Sequence, residues 1–188
     1  MSLIVACLGP EGAEIACDSY MGDKFIQYPG GTKIAEGPGF LYGVTGNYRI
    51  FDAAQKAIEH FKNNNYKHHK YMSAQSFAIT LSNYLYKNDM LSRKDGVGVM
   101  SLNPESNILY IDKDSIWQIH NDFSCFKIER QFHAIGMHIA AGFAMGYMHI
   151  EISHTNFGLV EDAIHRAIPY APFLSEPVHH LLLPKNQT

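Results

Sequence analysis

The sequence has 188 residues, a net charge of −3, 46% hydrophobic residues and 18% charged residues. A chain of this length and composition can bury a substantial core, which excludes a disordered protein. The charge balance provides no basic field for nucleic acid or acidic lipid, and neither a signal peptide nor an apolar run of membrane-spanning length is visible.

The amino-terminal stretch predicts a β-hairpin that begins almost at the first residue. Leu3 to Leu8 is an apolar, β-prone run, residues 9–12 form a Gly-Pro-Glu-Gly turn, and Ala13 to Asp18 is a second short run. A buried strand at this position would hold Ser2 beside the sheet. Once Met1 is removed, Ser2 carries a hydroxyl group and a free α-amine whose pKa lies near neutrality. A hydroxyl nucleophile with its own amine as proton acceptor is a known catalytic unit.

Asp18 and Lys33 are the charged groups that could orient and activate such a nucleophile. A lysine ammonium lowers the pKa of a neighbouring hydroxyl or amine, and a carboxylate can hold the lysine in place. Each residue also has a structural interpretation. Asp18 could close the hairpin as an Asx-turn residue, and Lys33 could be a solvated lysine at the start of a strand.

The remaining predicted elements alternate between the helical period of about 3.6 residues and the strand period of two. Asn47 and Ser73 are candidate caps of two successive helices, and a polar loop with His68 and His69 separates these helices. Between Val97 and Ile128 the period changes to two, which predicts an antiparallel meander. The predicted strands are Lys24–Gln27, Phe40–Thr45, Val97–Leu102, Ile108–Ile111, Ile116–Ile119, Phe126–Ile128 and Val178–Leu183, and two further predicted helices are Gly136–Met148 and Val160–Ile168. The pattern indicates an α+β fold with antiparallel strands, and we expect one domain over residues 1–188.

The three cysteines, Cys7, Cys17 and Cys125, have no CxxC spacing. They predict a reducing compartment, buried thiols in the two hairpin strands, and neither disulfides nor a metal site. No segment resembles a phosphate-binding loop, so we expect no cofactor, and any ATPase partner would be a separate protein.

Several short motifs resemble the proteasome β-subunit and bacterial HslV peptidase family, which are N-terminal-nucleophile (Ntn) hydrolases. They are S-L-I-V-A from residue 2, A-C-D-S from residue 16, T-K-I from residue 32, G-V-T-G from residue 43, and H-A-I-G from residue 133. The resemblance extends over roughly Ser2 to Met148. It implies the family's four-layer αββα sandwich, in which two antiparallel sheets lie between helix layers.

The resemblance also implies a function. It assigns Ser2 as the nucleophile of a threonine/serine-type peptidase, Asp18 and Lys33 as its tuning groups, and the Gly46 amide as the oxyanion donor. The substrate would be a peptide or unfolded protein, and the assembly a cytoplasmic homo-oligomeric ring or double ring. Whether an ATP-dependent unfoldase feeds this ring is left open.

The sequence departs from the family pattern at supporting positions. Met137 replaces the serine that follows A-I-G, and a thioether cannot donate a hydrogen bond. His138 is a candidate substitute. Near the carboxyl end Ser175 and Glu176 stand where the family carries a serine and an aspartate. Three functions therefore remain open, namely a peptidase, a catalytically inert ring subunit, and an Ntn amidase acting on a small amide.

Overall fold

The computed structural model describes residues 2–19, 21–22, 27–28, 31–64, 71–94, 97–100, 106–152 and 158–185. In this part of the chain the helices are α1 (Tyr48–Asn64), α2 (Ala74–Lys87), α3 (His138–Glu151) and α4 (Leu159–Ala167). The strands are β1 (Leu3–Leu8), β2 (Gly12–Cys17), β3 (Met21–Gly22), β4 (Gln27–Tyr28), β5 (Ile34–Gly37), β6 (Phe40–Val44), β7 (Leu91–Lys94), β8 (Val97–Met100), β9 (Ile108–Asp112), β10 (Ile116–Ile119), β11 (Cys125–Ile128), β12 (Phe132–Gly136) and β13 (His179–Pro184).

Two antiparallel sheets form the centre of the fold. A four-stranded sheet has the order β12-β1-β2-β13, and a five-stranded sheet has the order β11-β10-β9-β6-β5. The predicted hairpin is β1 and β2, in which Ile4 pairs with Cys17 and Leu8 with Ala13. Strand β1 is therefore central, with β12 on its other side.

Side chains on successive strand positions face opposite ways and divide the interior into three apolar layers. One layer lies between the two sheets and contains Ile4 and Ile111. A second packs the five-stranded sheet against α1 and α2. The third packs the four-stranded sheet against α3 and α4, and includes Leu3 and Val5. This arrangement confirms the predicted α+β sandwich of two antiparallel sheets between helix layers.

The helix starts agree with their sequence signals. The Asn47 side chain accepts a hydrogen bond from the Arg49 amide at 3.0 Å. At the start of α2 the Ser73 hydroxyl accepts one from the Ser76 amide at 3.2 Å. Each cap satisfies an amide that has no partner within its helix, so both predicted caps are confirmed.

The structure corrects the predicted strand pattern in several places. The strand at Val97 pairs with β7 in a separate hairpin, so the meander contains only β9, β10 and β11. Strands β3, β5, β7 and β12 were not predicted. Residues 132–136 pair with β1, and α3 consequently begins at His138 instead of Gly136. Residues 23–26 and the loop with His68 and His69 lie outside the described residues.

Two buried tyrosines allow a matched test of the layer under α1 and α2. The Tyr42 hydroxyl is buried and has no hydrogen-bond partner among the described residues, whereas the Tyr110 hydroxyl donates to the Met72 carbonyl at 2.6 Å. A buried polar group without a partner costs about 1–3 kcal/mol. We expect Tyr42→Phe to raise the free energy of unfolding by about 1 kcal/mol, and Tyr110→Phe to lower it by about 1–3 kcal/mol. Urea denaturation of both variants measures the difference, and equal changes would contradict this account.

Candidate active site

The site begins at Ser2, which is held against β12 by backbone contacts. Ser2 is only 8% exposed, and its carbonyl accepts a hydrogen bond from the Met137 amide at 2.9 Å. Gly136 lies opposite Leu3 with a φ of +124°, and a Cβ added there would lie 1.9 Å from the Ser2 oxygen. Only glycine permits this approach, because its φ is strained for other residues and it has no Cβ to clash. The strand edge thus fixes the position of Ser2.

Asp18 follows β2 directly and is bonded to the residue next to Ser2. Its Oδ1 atom accepts a hydrogen bond from the Leu3 amide at 2.8 Å, and its own amide donates to the Leu3 carbonyl at 3.3 Å. Lys33 lies directly before β5. Its Nζ atom lies 2.9 Å from Asp18 Oδ1 and 3.1 Å from the Asp18 carbonyl oxygen. The structure therefore brings Asp18 and Lys33 together beside Leu3, the residue that follows Ser2.

This ion pair is buried, which changes the chemistry of the lysine. The side chains of Lys33 and Asp18 are 6% and 0% exposed. Burial lowers the pKa of Lys33 below its ordinary value, and the Asp18 charge only partly opposes this effect. A lysine that gives up its proton more readily than usual is suited to exchange protons with a nearby hydroxyl or amine.

Cys17 lies beside this pair but is not a candidate nucleophile. Burial raises the pKa of its thiol to about 11. Since the thiolate is the reactive form, Cys17 is inert at neutral pH. Cys7 is also buried, as the sequence predicted for both hairpin cysteines.

Gly46 lies on an exposed bend between β6 and α1. The Val44 amide donates to the Lys33 carbonyl at 3.0 Å, which places the bend at the sheet end where Lys33 lies. Gly46 has a φ of +91°, and a Cβ there would lie 2.5 Å from the Ser106 hydroxyl. A side chain is therefore excluded at this position, and the backbone amide is the functional group that Gly46 offers.

Met137 and His138, the two residues considered as support for Ser2, lie in different environments. The Met137 side chain packs into the layer under α3, and only its amide contacts Ser2. His138 is exposed and lines a groove on α3 with Phe143 and Tyr170, so the structure does not bring it to Ser2. The substitution of His138 for the missing serine therefore has no support in the described contacts.

Ser175 contacts Ser19, the residue that follows Asp18. Its carbonyl accepts hydrogen bonds from the Ser19 amide at 3.0 Å and the Ser19 hydroxyl at 3.1 Å, and the two hydroxyl oxygens lie 3.3 Å apart. Glu176 is exposed and binds His165 Nδ1 at 2.6 Å, so it is engaged with α4. Sequence reasoning gave no role to Ser19, although it stands in the A-C-D-S motif, and it missed Ser106 completely.

Among the described residues, no group of three or more His, Cys, Asp or Glu side chains could hold a metal ion. In the same part of the chain no helix is both long enough and apolar enough to cross a membrane.

No protein-family model matches the sequence, and no curated protein matches it. Solved structures do match. The BPH protein of Thiobacillus denitrificans aligns with a TM-score of 0.72 at 14% identity, over 99% of this chain and 100% of that one. HslV from Trypanosoma brucei gives 0.66 at 14% identity, over 97% and 99% of the two chains. Anbu from Hyphomicrobium gives 0.70 at 13% identity, over 98% and 82%.

The chain has the proteasome-like Ntn-hydrolase fold. At these identities the likeness establishes the fold, and the resemblance found in the sequence is confirmed at that level. The proteasome-like fold places β1 at its centre, and the chain is a divergent example of it.

Gly136→Ala tests how Ser2 is held. The added Cβ would meet the Ser2 carbonyl and also adopt a strained φ, which costs about 1–3 kcal/mol or more. We expect that loss of stability in urea denaturation. We also expect faster hydrogen exchange at the Leu3 amide, because Ser2 would no longer be held against β12. Gly9→Ala, in the turn between β1 and β2, is the control. Its Cβ would lie 3.6 Å from the nearest atom, so we expect less than about 0.5 kcal/mol. An equal loss of stability in both variants would contradict the role of Gly136 in admitting the Ser2 carbonyl.

Proposed function

We propose that this chain is an Ntn peptidase subunit, with Ser2 as its nucleophile after removal of Met1. The observation that carries the proposal is the buried Lys33–Asp18 pair, bonded through Asp18 to the amide of Leu3. Burying a charged pair is costly because each ion has left water, and here the mutual attraction and the hydrogen bond from the Leu3 amide offset that cost. The residue before Leu3 is Ser2, which has a hydroxyl group and gains a free α-amine when Met1 is removed.

The proposed reaction has two halves. The Ser2 hydroxyl oxygen attacks the carbonyl carbon of a peptide bond, and its proton passes to the α-amine of Ser2. The Gly46 amide donates to the oxyanion, and the amine then protonates the leaving amine, which leaves an ester at Ser2. Water cleaves the ester and restores the hydroxyl. Asp18 holds Lys33, and the Lys33 charge favours the deprotonated forms of the hydroxyl and the amine.

An inert ring subunit is the second candidate, and a specific observation favours it. Met137 offers no hydroxyl beside Ser2, and Glu176 binds His165 instead of supplying a carboxylate to the site. Such a subunit would keep the fold and the assembly without the chemistry. An Ntn amidase would share the reaction but accept a small amide.

Covalent labelling separates these functions. A peptide epoxyketone can react with a hydroxyl and the adjacent α-amine to close a ring, and a structure of T. denitrificans BPH with this fold is a complex with epoxomicin. Intact mass first verifies that Met1 is absent. We then expect one adduct on the protein, no adduct on Ser2→Ala, and labelling about 100-fold slower or more on Lys33→Ala.

Lys56→Ala is the matched control, because Lys56 forms an exposed ion pair with Asp52 on α1. It should label at the wild-type rate. Hydrolysis of a fluorogenic peptide and of small amides then assigns the substrate class. Trimmed protein that forms no adduct and cleaves neither substrate would establish the inert alternative.

We further propose that the chain assembles into a homo-oligomeric ring or double ring through the exposed face of α3. This face carries large apolar side chains, with Ile139 58%, Phe143 46% and Ile150 67% exposed. Phe143 stacks on Tyr170 with ring centroids 4.3 Å apart. Gly142 and Gly146 have open space around them, so another backbone can approach closely. The proposed assembly is cytoplasmic and takes unfolded polypeptide, with a separate ATP-dependent unfoldase as a candidate partner.

Native mass spectrometry at micromolar concentration tests the assembly. We expect a closed oligomer for the unmodified sequence, and a smaller species for Phe143→Glu, because a buried unpaired charge opposes association. Phe126→Glu is the control, since Phe126 is 56% exposed on β11 of the other sheet. A monomer under these conditions, or an equal effect of both variants, would rule out this contact.

A further inference from the structure

A chain of hydrogen bonds runs between the two sheets and ends at the Gly46 bend. His133 on β12 bonds through Nε2 to Gln118 Oε1 on β10 at 2.9 Å. Gln118 Nε2 donates to Asn107 Oδ1 at 3.1 Å. The Asn107 carbonyl in turn accepts from the Thr45 amide at 2.9 Å and from the Thr45 hydroxyl at 3.2 Å. Three side chains thus link β12 to the residue before Gly46.

The direction of each bond is defined by the donors available. Since Gln118 gives its amide N–H to Asn107, its Oε1 is left as an acceptor, and His133 Nε2 must carry the proton. Burial lowers the pKa of His133, and Arg130 nearby lowers it further, and both effects favour the neutral ring. A neutral imidazole and two amides form a network with no net charge, which a half-buried site tolerates well.

Each end of this network is connected along the chain to residues of the candidate site. At one end, β12 continues from His133 to Gly136 and Met137, which hold the Ser2 carbonyl. At the other end, Ser106 precedes Asn107 and packs its hydroxyl against Gly46, and the Asn47 amide donates to this hydroxyl at 3.4 Å. The network therefore links the strand that holds Ser2 to the bend that carries Gly46.

We propose that His133, Gln118 and Asn107 are positioning residues, which fix the Gly46 bend relative to Ser2. The inference rests on the proposed peptidase function, because it assigns to Gly46 the oxyanion donor. Such a donor must lie about 2.7–3.1 Å from the developing oxyanion. A misplacement of about 1 Å can cost on the order of 100-fold in rate. The apolar contacts between the sheets hold their separation, whereas directional bonds to Asn107 hold the bend itself.

Gln118→Met tests the network most directly. Methionine keeps the length of the side chain but removes the hydrogen bonds to His133 and Asn107. We expect kcat for a fluorogenic peptide to fall about 10- to 100-fold, with KM changed less than about 3-fold. His133→Leu should behave in the same way. His133→Gln should restore most of the rate, because the glutamine amide can place an N–H near the position of Nε2.

Tyr110→Phe is the matched control for stability. It also loses a buried hydrogen bond, on the neighbouring strand β9, but the Tyr110 side chain packs on the α1–α2 side of the sheet. We expect kcat to remain at the wild-type value. A loss of kcat in Tyr110→Phe equal to that in Gln118→Met would overturn the inference, since any destabilisation of the sheet would then suffice.

Hydrogen–deuterium exchange separates the failure of this inference from the failure of the proposed function. In the resting protein, Gln118→Met and His133→Leu should speed exchange at Thr45, Gly46 and Asn47, and His133→Gln should reverse this. If the unmodified protein neither labels nor hydrolyses, the peptidase proposal fails, and exchange alone decides whether the network fixes the bend. Wild-type exchange and kcat in Gln118→Met would overturn the inference and leave the peptidase proposal intact.

Discussion

The buried ion pair between Lys33 and Asp18 is the interaction on which the candidate site depends. Lys33 precedes β5 of one sheet and Asp18 follows β2 of the other, so the pair connects both sheets. Removing an ion from water costs several kcal/mol, and the mutual attraction compensates only when further hydrogen bonds satisfy both groups. Those bonds are present, from Lys33 to the Asp18 carbonyl and from the Leu3 amide to the carboxylate. The pair therefore aligns the start of β1 with the start of β5.

Backbone groups hold the nucleophile candidate, and side chains would move its protons. The Met137 amide binds the Ser2 carbonyl whatever side chain residue 137 carries, and Gly136 allows the contact by having none. Replacing a serine by methionine at this position therefore leaves Ser2 in place and removes only a hydroxyl. In the proposed mechanism, loss of that hydroxyl would affect the route of a proton.

The sequence predicted the elements that have strong local signals and missed those defined by pairing. Strand β1 is a continuous apolar run, and α2 carries both a cap and an apolar stripe, so both were predicted. Strand β12 reads F-H-A-I-G and has no clear period, and it forms because β1 provides a partner edge. The contact between His133 and Gln118 depends on the register of two different sheets, which periodicity does not encode. That Asp18 and Lys33 act together at Ser2 was a hypothesis from their residue types and from the family resemblance, and strand periodicity did not predict it.

The choice between an enzyme and an inert ring subunit depends on what each would require of this chain. A subunit that served only assembly would need the three apolar layers and the exposed face of α3. The charges at positions 18 and 33 would connect the two sheets in either kind of protein, yet replacing a buried ion pair by apolar residues of similar volume is often neutral or stabilising by about 1–4 kcal/mol. This chain carries the pair, with hydrogen bonds to Asp18 from Lys33 and from the Leu3 amide, and burial lowers the pKa of its lysine. The proposed proton transfer at Ser2 would give this ion pair a chemical role that assembly alone does not provide.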